Sequence, residues 1–374
     1  MERVRVGVVG CGLVAQLMHL HYLRELADRF EIAALCDISP GTVNAVAERH
    51  GVGRRFTDWR EMLDSVDLDL VMVLTNASHV EPALAAFAHG LHVFVEKPMA
   101  LTVGDADRMI AAASAARRSL TVGYMKRHDP AYAAAAARLR TLGPLRHVGI
   151  TTLESPIGPY VDHEAILRVA DIGPEVLEAG LVERRRLVGE ALGRDADDRL
   201  VRCYHDLLLD SAIHELNLLR GLAGDPTAVI SSEFWDDARS MQVVLGYSDE
   251  LRASFSFVWL DQLPEYVQEL AFRAPGSRLT LHFPSPFLRN APTAIALDRW
   301  EDGVLHREQV IAGYDEAFRR ELVHLHRTVV EGAAPLVSAE VARGDVALAG
   351  LIARSWLEGR SLDVVDLDGT AIGT

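Results

Sequence analysis

Lysine is almost absent from the chain: of its 38 basic residues only Lys97 and Lys126 are lysines, and the rest are arginines. Cysteine is scarce too. Cys11, Cys36 and Cys203 are scattered, with no pair at metal-ligand spacing. So low and odd a count excludes a disulfide scaffold and fits a reducing cytoplasm. No apolar run approaches membrane-spanning length. The N-terminus enters a strand within three residues, without a basic-plus-apolar leader, so a cytoplasmic chain is expected rather than a secreted one. Positive charge is in deficit, with 38 basic against 53 acidic residues for a net −15. Such a surface repels nucleic acid and anionic membranes, and neither is expected as a partner. It would suit a cationic small molecule such as an amino sugar, although a solvated acidic surface explains it equally well.

What remains is ample: 374 residues, 49% of them hydrophobic, suffice for two cores. Through about residue 125, apolar β-branched runs (4–9, 32–36, 68–74, 91–95, 120–124, with a short one at 52–56) alternate with helical spacing at 13–26, 83–89 and 106–116. This predicts an α/β domain, residues 1–125, built on a doubly wound parallel sheet. The remainder, 126–374, reads as an α+β domain. A strand at 147–153 precedes a charged helical insertion at about 156–202, and a helix covers 207–222. From 228 to 283 the period becomes two, with Phe255, Phe257 and Trp259 alternating with Ser254, Ser256 and Val258. A large, mostly antiparallel open sheet follows, and then helices from 315 to 359 that can pack back on the first domain.

The first strand runs into Gly10-Cys11-Gly12-Leu13-Val14-Ala15 and then a helix. Gly10 permits a tight turn, Gly12 lets a pyrophosphate approach the backbone, Ala15 brings helix and strand together, and the helix N-terminus faces the negative charge. In strand–turn–helix context the pattern is a strong dinucleotide signal. The next strand ends at Asp37, followed by Ile38-Ser39-Pro40 with no arginine. A carboxylate there accepts ribose hydroxyls and repels a 2′-phosphate, favouring NAD over NADP; the alternative is that Asp37 only caps the helix after Pro40. Lys97, in Glu96-Lys97-Pro98, stands at the carboxyl end of an apolar strand, where open α/β folds keep their ligands. Lysine, unlike arginine, readily shares or donates a proton. Asp210 and His214 share a helical face, as an orienting carboxylate and a general base would. Glu215 follows, but the fourth residue after His214 is Leu218, so no two-histidine metal motif forms and no metal is expected.

Taken together, the fingerprint, Thr75-Asn76 with His79, Glu96-Lys97-Pro98, Gly123-Tyr124-Met125-Lys126-Arg127-His128-Asp129-Pro130, Asp210-x-x-x-His214 and the late Gly276–Leu281 segment resemble the Gfo/Idh/MocA oxidoreductases in identity and order. The resemblance implies that Thr75, Asn76, His79, Glu96 and Lys97 serve the NAD site with Gly10, Gly12, Leu13, Ala15, Asp37 and Ile38. It implies that Lys97, Arg127, Asp210 and His214 bind a sugar, amino sugar (the aminoglycoside type included) or cyclitol. His214 would take a hydroxyl proton as hydride passes to nicotinamide C4, with Asp210 fixing the imidazole and Lys97 stabilising the alkoxide. A salt bridge to Asp129 or a helix-end contact is the bland alternative for Arg127. Two departures stand out. The separation of Lys97 from His214 is longer than the family's by the 156–202 insertion, expected as a lid or an oligomer contact, and Asn76 stands where many members have proline. The expected activity is an NAD-dependent dehydrogenase. An NAD-dependent glycosidase using transient oxidation and a non-catalytic NAD-binding sugar sensor are the alternatives. A homodimer or homotetramer through the second-domain sheet is expected as well.

Overall fold

Six parallel strands form the first sheet of the computed structural model, which describes residues 3–248, 250–365 and 367. They are β1 (Val4–Val9), β2 (Phe30–Cys36), β3 (Arg55–Phe56), β4 (Leu70–Val73), β5 (His92–Glu96) and β6 (Leu120–Gly123), in the order β3-β2-β1-β4-β5-β6. Successive side chains in a strand point to opposite faces, and Leu70, Val71, Met72 and Val73 are all buried. Both faces of the sheet are therefore covered, which is why these strands read as unbroken apolar runs. Strand order reverses between β1 and β4, and the carboxyl edge at such a reversal is the ligand-binding place of doubly wound sheets.

This sheet belongs to a unit made of residues 1–124, 164–196 and 318–346. Most of the charged insertion thus goes with the parallel sheet. It is less helical than its composition predicts: Gly158–Val161, Pro174–Leu192 and Asp198–Val201 are helices, while 164–172 has neither helix nor strand. The chain turns helical again only after Gly173, with Pro174 in the first turn, where its missing N–H costs nothing.

The second unit, residues 125–163, 197–317 and 347–374 (368–374 lie outside the described residues), carries nine strands. These are β7 (His147–Glu154), β8 (Ala228–Trp235), β9 (Ser240–Gly246), β10 (Arg252–Trp259), β11 (Val267–Ala274), β12 (Ser277–Phe283), β13 (Ala294–Glu301), β14 (Val304–Ile311) and β15 (Leu362–Asp363). Their order is β14-β13-β12-β11-β7-β10-β9-β8-β15. The pairing is antiparallel except that β7 lies between β11 and β10 and runs parallel to β10, so the meander expected over 228–283 is split by a strand from much earlier in the chain. The hairpin β13–β14 has no counterpart in the sequence reading. Every residue of β14 but Val310 is exposed, its sequence shows no apolar alternation, and it ends the sheet as an exposed edge with charged residues at its middle.

On β10, Ala253, Phe255 and Phe257 are buried and Ser254, Ser256 and Val258 are half-exposed, as the period of two requires. Trp259 departs from the expected alternation and is itself half-exposed. The helix expected at 207–222 begins with i→i+5 winding over Arg202–Ala212 and becomes α-helical over Ile213–Ala223. Its apolar residues Leu207, Leu208, Leu209, Ala212, Ile213 and Leu216 are all buried. No described helix is long and apolar enough to cross a membrane.

Candidate functional site

In the first unit the turn after β1 is shaped for a close-approaching ligand. Gly10 adopts φ +99°, and a Cβ there would meet the Leu74 backbone at 2.8 Å, so only glycine fits. At Gly12 the reverse holds: a Cβ would meet nothing within 4 Å. That open space is the approach a pyrophosphate needs, and the residues present fit a dinucleotide. Leu13 follows half-exposed, and Ala15 is buried at the start of a short i→i+5 turn, Ala15–His19. The Asp37 carboxylate accepts from the Cys11 amide (2.8 Å) and from the Ser39 amide (2.9 Å), which fixes it beside the glycine turn. It does not cap the following helix, Pro40–His50; Ser39 does, accepting from the Thr42 amide at 3.0 Å. Ile38 is exposed next to it.

The loop after β4 is tied to the turn after β5 by one buried imidazole. His79 places Nε2 2.8 Å from the Thr75 carbonyl and Nδ1 2.9 Å from the Pro98 carbonyl. Burial outweighs the two carbonyls and holds its pKa below the ordinary value, so the neutral ring has one N–H to donate to one carbonyl or the other. Asn76 is exposed, and its carbonyl accepts from Arg184 of the insertion helix at 3.4 Å. Glu96 bonds His19 Nε2 through Oε1 (2.7 Å) and accepts the Lys97 amide through Oε2 (3.1 Å). Gly123 is required beside it, because a Cβ there would press on the Glu96 carboxylate and the Phe94 ring. Lys97 is half-exposed at the strand end. In helix Ala317–Glu331 the buried Glu321 has no hydrogen-bond partner for either oxygen among the described residues; burial, with the Glu96 charge adding to it, pushes its carboxyl well above the usual range, so it is held neutral.

In the second unit Asp210 is exposed near the end of the i→i+5 stretch, and His214 is half-exposed in the first turn of Ile213–Ala223. The Arg127 guanidinium donates to the Asn217 carbonyl (3.1 Å) and lies over the Tyr132 ring at 4.6 Å, where Gly221 leaves room for it. Arg127 therefore clamps the helix that carries His214. Asp129 caps helix Pro130–Leu139 through the Ala131 amide (2.7 Å).

A polar cluster that sequence reasoning missed lies in the same unit. Lys126, 6% exposed, donates to Gln268 Oε1 and to Tyr266 Oη (3.2 Å). Gln268 in turn donates to Glu215 Oε1 (2.8 Å), which also accepts from Thr152 (2.7 Å). Glu154, at the end of β7, has its carboxyl pushed up to about 7, first by burial and then by the Glu215 charge, with Lys126 opposing and Asp210 adding a smaller push. Two signals were available: Lys126 is one of only two lysines, and Gln268 shares its face of β11 with the apolar Leu270 and Phe272. Among the described residues no group of three or more His, Cys, Asp or Glu is placed to hold a metal.

Residues 4–124 match the Gfo/Idh/MocA model, described as an oxidoreductase family with an NAD-binding Rossmann fold. The chain is similar to inositol 2-dehydrogenase of Salmonella typhimurium, at 30% identity over 132 residues, which is 34% of this chain and 39% of that protein. It thus spans well under half the length of that relative. Inositol 2-dehydrogenase of Paracoccus denitrificans is 28% identical over 244 residues, 63% of this chain and 69% of that one. The crystal structure of an oxidoreductase domain protein from Kribbella flavida shares the fold, with a TM-score of 0.76 at 20% identity over 98% of this chain and 100% of the other.

Proposed function

We propose that the chain, whose residues 4–124 match the Gfo/Idh/MocA oxidoreductase model, is an NAD-dependent dehydrogenase oxidising one secondary hydroxyl of a sugar, amino sugar or cyclitol to a ketone. The observation that carries the cofactor reading is the open approach over Gly12 beside an Asp37 carboxylate pinned by the Cys11 and Ser39 amides. NAD, when bound, supplies the hydride acceptor. Gly10, Gly12, Leu13, Ala15, Asp37 and Ile38 form its cradle, with Thr75, Asn76, Glu96 and Lys97 along the neighbouring strand ends; His79 serves by holding the loop in place. The Asp37 charge sets a preference for NAD, since a 2′-phosphate would face a carboxylate.

The His214 imidazole takes the hydroxyl proton, Asp210 orients it, and the Lys97 ammonium stabilises the developing alkoxide. Arg127 acts on the substrate side through the helix it clamps. The acidic surface, −15 in all, favours a cationic polyol such as an aminoglycoside intermediate. The free, buried state of all three cysteines suits a cytoplasmic setting. The half-exposed face of β9 and β10 (Gln242, Ser254, Ser256) is the proposed contact of a homodimer or tetramer.

The test is NADH formation with a panel of sugars, cyclitols and aminoglycosides. NADH accumulating with a polyol supports the reading. Glycoside cleavage without net NADH, or binding of sugars without turnover of any, would replace dehydrogenation by a transient-oxidation glycosidase or by a sensor.

A further inference from the structure

The insertion sends a strap, residues 166–171, across the two elements that frame the Asp37 carboxylate. Gln16, in the first helical turn after the glycines, holds it at one end with both ends of its amide. Its Nε2 donates to the Leu167 carbonyl (2.9 Å) and to the Cys11 carbonyl (2.8 Å), and its Oε1 accepts the Leu167 amide (2.9 Å). Two residues on, the Val169 amide donates to Thr42 Oγ1 (3.1 Å). At the far end the Asp171 carboxylate accepts from the Gly41 amide (2.6 Å) and from the Ser39 hydroxyl. The seating is close. A Cβ on Gly41 would fall 2.6 Å from Val169 Cγ1 and 2.8 Å from Asp171 Oδ2, so residue 41 must lack one for the strap to lie there.

The Ser39 hydroxyl and the Gly41 amide are the donors at the N-terminus of an 11-residue helix, where backbone N–H groups and the helix dipole favour an anion. Ser39 also bonds Asp37 through its amide, so these donors adjoin the carboxylate expected to receive the adenosine ribose. They are the groups a 2′-phosphate would use. In this chain they are already bonded to a carboxylate from residue 171, which adds a second negative charge beside the first.

We propose that Asp171, delivered by the insertion, is a second determinant of cofactor choice: it occupies the anion niche beside Asp37 and excludes the 2′-phosphate of NADP. The Asp37 carboxylate selects for free ribose hydroxyls, and the Asp171 carboxylate denies a phosphate its donors. The bonds of Asp171 to Ser39 and Gly41 favour its ionised form, so the block stands at neutral pH. The insertion is then a part of the cofactor site. This inference rests on the NAD-over-NADP reading above.

The experiment is titration of NAD and NADP into the full chain and its D37S, D171S and G41A variants at one fixed ionic strength, read as Kd by calorimetry. Amide hydrogen exchange at Leu167 and Val169 is followed without ligand. In D171S, NADP should bind about tenfold tighter, the factor expected from removing one like charge a few ångströms from a phosphate, while the Kd for NAD stays within about threefold. G41A leaves both carboxylates in the chain but lifts the strap. It should speed exchange at Leu167 and Val169 and shift NADP affinity in the same direction. If D37S tightens NADP but D171S and G41A leave it at the wild-type value, Asp171 has no part in selection while the Asp37 reading stands. Wild-type protein that binds NADP as tightly as NAD would overturn both, since there would be no discrimination to explain. Should D171S fold poorly, G41A and D171N carry the same comparison.

Discussion

Replacing Glu154 with glutamine should make the protein more stable at high pH and change little at low pH. The carboxyl titrates at about 7 instead of near 4.5, chiefly because burial disfavours its charge and secondarily because Glu215 repels it. The native state therefore holds this proton more tightly than the unfolded chain does. The stability so contributed is complete below about pH 4.5 and is lost as pH rises through about 7. A shift of roughly 2.5 pKa units at 1.36 kcal/mol each is about 3 kcal/mol. At pH 8 the wild type bears that cost of a charged, half-desolvated carboxylate, whereas Glu154→Gln has nothing to ionise and keeps much of the shape. The Lys126 attraction is already included, since it opposes the shift. Urea unfolding of both proteins at pH 4.5 and pH 8 isolates Glu154 and the charges coupled to it, because titrating groups that do not interact with it, including Glu316, whose carboxyl is also pushed up to about 7 by burial, cancel between variant and wild type. The variant should gain about 3 kcal/mol on wild type between the two pH values, or about 6–12 °C in Tm if the second unit melts as one body. Parallel stability-versus-pH curves for the two proteins would refute the reasoning, because they would mean that Glu154 ionises in the fold as it does in water.

Lys97→Ala and His214→Ala should each lower turnover roughly 100- to 10,000-fold while NAD affinity holds, and Lys97→Arg should not rescue, since guanidinium keeps its proton; activity within a few-fold of wild type removes that residue from the mechanism. Gly10→Ala and Gly12→Ala should separate folding from binding. The first forces a side chain against the Leu74 backbone at positive φ and should lower Tm, whereas the second fits without contact and should weaken NAD binding with Tm kept, as differential scanning calorimetry and titration would record. Light scattering at micromolar concentration should report a dimer or tetramer, and a charge placed on the sheet face at Ser256 should shift it toward monomer; a wild-type monomer would count against that contact.

Local chemistry made the cofactor end legible. The turn at Gly10 and Gly12, the acid at Asp37 and the apolar runs of β4 and β5 each declare themselves within a few residues, because turn conformation and burial on two faces constrain short stretches of chain. The cluster of Lys126, Glu154, Glu215 and Gln268 did not, since its bonds join residues 53 to 142 positions apart and no periodicity encodes such pairings. The strap escaped for a related reason. Its composition looks like helical filler, and its significance lies in side-chain bonds from Gln16, Ser39 and Thr42 that only the fold brings to it. β14 bunches its polar residues at 306–309 between apolar ends and is exposed at nearly all positions, so alternation had nothing to show. The i→i+5 winding of Arg202–Ala212 buries Leu207, Leu208, Leu209 and Ala212, apolar residues that a period-3.6 reading also takes as helical, and so carries no separate signature.

The interleaving of the two units has a consequence for how the protein is made. The parallel sheet is synthesised by residue 123, yet the unit it belongs to also needs residues 164–196 and 318–346. Phe318 closes on the His19 ring at 5.5 Å, His326 meets Phe30 at the same distance, and Arg343 pairs with Asp107 at 2.7 Å. A nascent chain halted at residue 124 would leave those positions bare, and at ribosomal speed it waits roughly ten seconds or more for the rest to emerge. Folding of this unit from the N-terminus alone is therefore expected to stay incomplete until residue 346 has emerged, with the faces of His19 and Phe30 uncovered in that interval.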